Sequence, residues 1–149
     1  MELHFDRFLP FLESEKPDIL CVQEVLNRDM PRISEKLGMT GRFEPMIVIT
    51  HEHLKARGLE GLKEGIAILS RFPAQYRADY YSGSPDSVPL ERSDNQGANG
   101  MLLSAQFEHD GVSFTIGNTH FTWTPDGEAS EAQHEHLTKL ISILERFPD

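Results

Sequence analysis

Two polar residues stand where a chain ordinarily puts neither. Glu24 lies near the end of the apolar run ILCVQEV (19–25), and His120 sits in GNTHFTWTPDG (117–127), between a β-branched, aromatic stretch and a Pro-Asp-Gly turn. A carboxylate in an apolar strand is costly to bury alone, so Glu24 calls for a cation. That cation is either an internal partner, Arg28 or a helix N-terminus, or a hard metal ion. Mg²⁺ is held by one or two carboxylates together with waters and substrate phosphate. His120 has the same two sides: an imidazole satisfied by backbone, or a catalytic group at the mouth of a sheet. Imidazoles ordinarily titrate across neutrality, which suits protonating a leaving group or stabilising charge on phosphate oxygens.

The remaining candidates are weaker. HEH occurs at 51–53 and again at 134–136. The second copy falls in a helical pattern, where residues two apart do not share a face, so it does not make a paired metal site. The first lies in a loop with no third ligand evident. Spaced Cys/His zinc motifs, a Gly-rich phosphate loop and a G-x-S-x-G elbow are all missing from the sequence. Cys21 sits inside the first apolar strand and reads as an inert, packed thiol.

These residues need elements to hold them. Phe5, Phe8, Leu9 and Leu12 fall at helical spacing, although Pro10 suits only a first turn, and KPD (16–18) stops the segment. ILCVQEV reads as a buried strand. Met30, Ile33 and Leu37 mark a second helix, with Gly38 placed to cap it. Strands are expected at 43–50 and 66–72, and a shorter one around 75–80. Residues 51–65 read as an exposed loop, and the long Ser/Pro/Asp/Asn/Gly-rich segment 82–99 as a functional or mobile one. Strands at 100–107 and 112–121 flank EHDG, whose Asp-Gly favours a tight hairpin. From Glu128 the pattern turns helical, with Leu137, Leu140, Ile141 and Leu144 on one face.

Composition narrows the class. The chain has 149 residues, 38% hydrophobic and 26% charged, which suits one domain with a real core. No apolar run approaches the ~20 residues that span a bilayer, and the N-terminus lacks a signal-peptide core. With one cysteine there is no internal disulfide, so a reducing compartment, the cytoplasm, is the default location. The net charge of −10, from 24 acidic and 14 basic residues, speaks against a broad nucleic-acid surface, which normally displaces counterions with clustered Lys and Arg.

Three segments in order carry a family likeness: PDILCVQEV (17–25), EGIAILSRFP (64–73) and GNTHFTW (117–123). Followed by EAQHEHLTKLISIL, they resemble the endonuclease/exonuclease/phosphatase superfamily. Its Mg²⁺-dependent phosphoesterases include deoxyribonucleases, abasic-site endonucleases, sphingomyelinases and inositol-phosphate phosphatases. The resemblance implies an α/β fold, a β-sandwich flanked by helices in four layers, α/β/β/α. It also implies Mg²⁺ or Mn²⁺ as cofactor, Glu24 as metal ligand and His120 as the catalytic histidine at the scissile phosphate.

The likeness is to the N-terminal part of such a domain. A leading strand with a TWN-like asparagine, a GDFN-like motif and an SDH-like histidine do not occur in the sequence. The expectation is therefore a partial domain over 1–149 whose sandwich lacks its C-terminal strands. The function implied is hydrolysis of a phosphodiester or phosphomonoester, the substrate being a small phosphorylated molecule, a lipid headgroup or nucleic acid. The competing expectation is a truncated or degenerate relative without catalysis that binds metal, phosphate or a protein partner.

Overall fold

The computed structural model describes residues 2–50, 55, 58–90, 97–124 and 127–147, and for 2–6 the backbone alone. The order of elements is α1 (Glu2–Glu15), β1 (Ile19–Leu26), α2 (Met30–Leu37), β2 (Thr40–Val48), β3 (Lys63–Ser70), β4 (Ala74–Ser82), β5 (Gly100–His109), β6 (Val112–Asn118) and α3 (Glu131–Leu144). The strands form two three-stranded antiparallel sheets, ordered β1-β3-β2 and β4-β5-β6.

The central strands explain the layering. Ile66, Ala67, Ile68 and Leu69 of β3 are all fully buried, yet they belong to different cores. Ala67 and Leu69 face the helices with Leu9, Leu12, Ile33 and Leu37. Ile66 and Ile68 face the second sheet with Met101, Leu103, Ala105 and Phe107 of β5. On the far side of β5, Leu102 packs with Tyr81 of β4 and with Leu140 and Ile143 of α3. Successive strand side chains point to opposite faces, so an unbroken apolar run signals a strand covered on both sides. Each large aliphatic side chain so buried contributes roughly 1.5–3 kcal/mol. The layers are α1 and α2, sheet one, sheet two, and α3: an incomplete α/β sandwich of the expected order. Among the described residues no helix is long and apolar enough to cross a membrane.

Several boundaries moved, each for a local reason. β2 starts at Thr40, and β4 is a full nine residues paired along its length with β5. α3 starts at Glu131 because Ser130 forms a capping box with Gln133. Its inward face is narrower than the apolar spacing suggests: Leu140 and Ile143 are buried, while Leu137, Ile141 and Leu144 stay exposed. Pro10 sits inside α1, where burial of Leu9 and Leu12 outweighs the lost backbone donor. β1 is an edge strand, and Cys21 on it is exposed, not packed. The Asp-Gly hairpin is as read: Asp110 and Gly111 both have positive φ, +50° and +77°, between paired His109 and Val112. The first HEH, at 51–53, lies outside the described residues.

A polar bridge links the sheets at one side. The Glu44 carboxylate of β2 is buried, takes hydrogen bonds from Arg42 Nε at 2.5 Å and Tyr80 Oη at 3.1 Å, and so ties β2 to β4. Burial first, and then the Glu44 charge, push the Tyr80 phenol up to about 12. The backbone approach beside this bridge is close. A Cβ built on Gly65 would lie 2.0 Å from the Glu44 carbonyl oxygen and 2.9 Å from Pro45 Cα. Both obstacles are backbone, so Gly65→Ala must push β2 from β3. We expect it to lower stability by roughly 1–3 kcal/mol in urea unfolding, and an unchanged midpoint would mean that the sheet yields freely there.

Candidate functional site

Glu24 is aimed by a defect in the ladder. Val22 pairs with Ala67 and Val25 with Gly65, so three steps along β1 match two along β3. The extra residue is a bulge, a device that turns a side chain out of its alternation. Gln23 and Glu24 are both exposed, whereas Val25 and Leu26 are both buried. Glu24 has φ +53°, a left-handed conformation costly for a residue with a Cβ.

His120 is aimed by the end of β6. Asn118, the last residue of that strand, is buried and reaches across to the other sheet. Its Nδ2 donates to the carbonyls of Val22, at 2.9 Å, and Ala67, at 3.0 Å. Its Oδ1 accepts from Gln23 Nε2 at 3.3 Å, and that same amide donates to the Thr119 carbonyl at 2.7 Å. Thr119 Oγ1 donates to Met101 O at 2.8 Å. The Tyr81 hydroxyl then has one proton for two neighbours, Thr119 Oγ1 at 3.0 Å or the His120 carbonyl at 3.2 Å. Burial raises the Tyr81 phenol above its ordinary range, with the Thr119 hydrogen bond opposing.

His120 therefore lies two residues beyond the strand, not within it. Its Nε2 is 3.2 Å from Glu24 Oε1, joining residues 96 apart in sequence. An ionised carboxylate only accepts, so Nε2 is the donor in this pair. Glu24 thus pairs with His120, and Arg28 turns instead to Asp29 at 4.0 Å. Ser70 and Arg71 take no part: Ser70 Oγ accepts from the Phe72 amide and Arg71 Nε donates to the Pro17 carbonyl.

Both residues open on a cleft of about 510 Å³ between the ends of the sheets and the start of α3. Trp123, Asn99 from the 82–99 loop, and His136 also line it. His136 went unnoticed in the sequence because its HEH setting drew attention to a paired site. Within α3, His134 is exposed and His136 lines the cleft, so the pair indeed shares no face. His136 Nδ1 is 2.8 Å from Thr122 Oγ1, and Gln133 Nε2 donates to the Thr122 carbonyl at 2.7 Å. The Pro125-Asp126 part of the expected turn lies outside the described residues.

The donor set suits a cation of modest demands. The Glu24 side chain is 69% exposed, and Oε2 has no hydrogen bond among the described residues. One free carboxylate oxygen fits Mg²⁺, which retains several waters. Among the described residues no group of three or more His, Cys, Asp or Glu converges as a complete protein cage.

Comparison with known proteins now decides the family. The Endonuclease/Exonuclease/phosphatase family model matches residues 1–148. The chain belongs to that family. The catalytic domain of human Nocturnin, solved with a bound sulfate anion, has a similar fold at TM-score 0.64 and 21% identity, over 97% of this chain and 51% of that one. This chain thus spans about half the length of that solved domain. No match is found among curated protein sequences. Endonuclease/Exonuclease/phosphatase membership brings with it the expectation of phosphoester chemistry, generally with a divalent metal.

Two stability measurements probe how the site is held. Asn118→Ala takes the donor from one buried and one part-buried carbonyl, and we expect a loss of roughly 1–3 kcal/mol in urea unfolding. A loss below about 0.5 kcal/mol would show that water replaces the amide. Glu24→Gly relieves the left-handed backbone, and we expect a gain of roughly 0.5–1 kcal/mol. A lower melting temperature in that variant would contradict the strain.

Proposed function

We propose that this protein is a metal-dependent phosphoesterase, a hydrolase acting on a phosphodiester or phosphomonoester. The observation that carries the reading is the meeting of Glu24 and His120 at a cleft, with Glu24 kept there in a strained conformation. Strain of this kind persists where the surroundings over-determine it, and it gathers at functional sites.

In this reading Glu24, whose Oε2 has no hydrogen bond among the described residues, would hold Mg²⁺ or Mn²⁺. The metal, when bound, supplies positive charge to the phosphate oxygens. His120 is the catalytic histidine. Its Nε2–H is anchored on Glu24, which fixes the ring and leaves Nδ1 to hold or take a proton at the phosphate. The hydrogen bonds through Asn118, Thr119 and Tyr81 keep that ring in place before substrate arrives. The substrate is a phosphoester.

A second reading rests on the lack of a group of three metal-ligating side chains among the described residues. It is a relative that binds metal or phosphate without turnover. Both are tested by hydrolysis of bis-p-nitrophenyl phosphate and p-nitrophenyl phosphate, with Mg²⁺, with Mn²⁺ and with chelator. We expect metal-dependent release of p-nitrophenolate, and a fall in kcat of about 10²–10⁴-fold in Glu24→Gln and in His120→Gln. Full activity of Glu24→Gln would remove the metal assignment. Saturable Mn²⁺ binding without turnover would favour the second reading.

A further inference from the structure

The cleft continues well past the Glu24–His120 pair, and its far part is chemically distinctive. Several polar residues line it, and four of them, Asn99, Thr122, Thr124 and Ser130, make hydrogen bonds within the protein. Asn99 Nδ2 donates to the carbonyls of Ser84 and Ser87, both at 2.9 Å, and its Oδ1 accepts from the Ser84 amide at 3.2 Å. Thr122 is engaged by His136 and Gln133. Thr124 Oγ1 donates to the Glu128 carbonyl at 2.9 Å, and Ser130 Oγ accepts from the Gln133 amide at 3.1 Å. Beside the side chains of Ser82, Glu64 and His136, the rest of the lining is carbon: Trp123, Phe121, Met46, Ile47, Ala98 and Ala132.

Trp123 stands out within that set. It is 56% exposed, the sole tryptophan of the chain, and three residues from His120. Its segment is not loosely attached. Hydrogen bonds fix the preceding residues at Thr119, His120 and Thr122, and Thr124 is tied to Glu128. A tethered segment thus carries a large, half-exposed indole at the cleft wall. The described lining includes two carboxylates, Glu24 and Glu64, and neither lysine nor arginine. A phosphate-only ligand has nothing to grip in this part, and a long polyanion would lack the cations it normally needs.

We infer that the cleft beyond His120 is a subsite for a planar aromatic ring carried by the phosphoester, stacked on Trp123. The inference rests on the proposed phosphoesterase reading for where the phosphate goes. Because Asn99, Thr122 and Thr124 are engaged within the protein, the subsite selects chiefly for having a ring. A nucleobase and a simple aryl group share this chemistry. Aromatic stacking is sequence-tolerant for the same reason, since every ring has a π-face.

The test is binding to the full chain with Mg²⁺ present, followed through Trp123 fluorescence and by calorimetry. The probes are phenyl phosphate, adenosine 5′-monophosphate and the ringless glycerol 1-phosphate. Both ring-bearing probes should quench Trp123 saturably, with dissociation constants within about threefold of each other. Glycerol 1-phosphate should bind at least about tenfold more weakly. In calorimetry Trp123→Ala should remove that preference, and Trp123→Phe should keep most of it. Equal binding of ringless and ring-bearing probes overturns the subsite, as does an undiminished preference in Trp123→Ala or no saturable binding of phenyl phosphate. Ring preference without hydrolysis would leave the subsite standing and remove the phosphoesterase reading. Hydrolysis without ring preference would do the reverse.

Discussion

A side-chain amide joins the two sheets where backbone hydrogen bonds cannot. Packed sheets meet through side chains at about 10 Å, so their relative position is ordinarily set by apolar contact, which is non-directional. Asn118 adds direction. It is buried, it donates twice to sheet one from the last position of β6, and its oxygen is taken by Gln23. A buried polar network of this kind is worth having only when every member is satisfied. Here the satisfaction reaches both sides of the site: Gln23 precedes Glu24, and Thr119 follows Asn118 and precedes His120. Moving either sheet would break the amide contacts and separate the carboxylate from the imidazole.

The layers on either side keep that joint from opening. Ile66 and Ile68 meet Met101, Leu103 and Phe107 between the sheets, while Ala67 and Leu69 are covered by α1 and α2. The bulge in β1 is tolerated because the residues after it, Val25 and Leu26, are almost completely buried in separate clusters. Their burial offsets a left-handed glutamate. The Arg42–Glu44–Tyr80 bridge does comparable directional work elsewhere on the sheet interface, so the strain near Glu24 does not have to be absorbed by sliding.

Much of this was legible in the sequence, for identifiable reasons. Continuous apolar runs at 66–69 and 101–103 announce strands covered on both faces, and Asp110-Gly111 announces its turn, because each follows from local geometry. Glu24 and His120 were noticeable since each violates the pattern around it. Their partnership was not legible, because it spans 96 residues and depends on a one-residue bulge that leaves no composition signal. Cys21 misled for the same reason: an apolar run does not say whether its strand is central or at an edge. Asn118 falls without distinction inside the β-branched, aromatic run 112–121, and His136 in an HEH that makes no paired site. What both do is defined only by residues from other elements.

The electrostatics of the cleft constrain its chemistry more than the fold does. Two unit charges of like sign about 4 Å apart repel by about 1 kcal/mol in water and about 4 kcal/mol near a protein surface. A phosphate entering beside Glu24 meets that repulsion, with Glu64 on the same lining and neither lysine nor arginine among the described lining residues. The excess of acidic residues over the chain as a whole adds nothing to relieve it. His120 can offset one charge, but Glu24 already engages its Nε2. A divalent cation held by Glu24, as proposed, would change the sign of the local field and turn a residue that repels phosphate into one that recruits it. Without such a cation the two carboxylates work against an anionic ligand. On the proposed reading the acidic lining and the aromatic wall belong to one arrangement, in which charge recognition would fall to the metal and the protein's own surface would recognise the rest of the molecule.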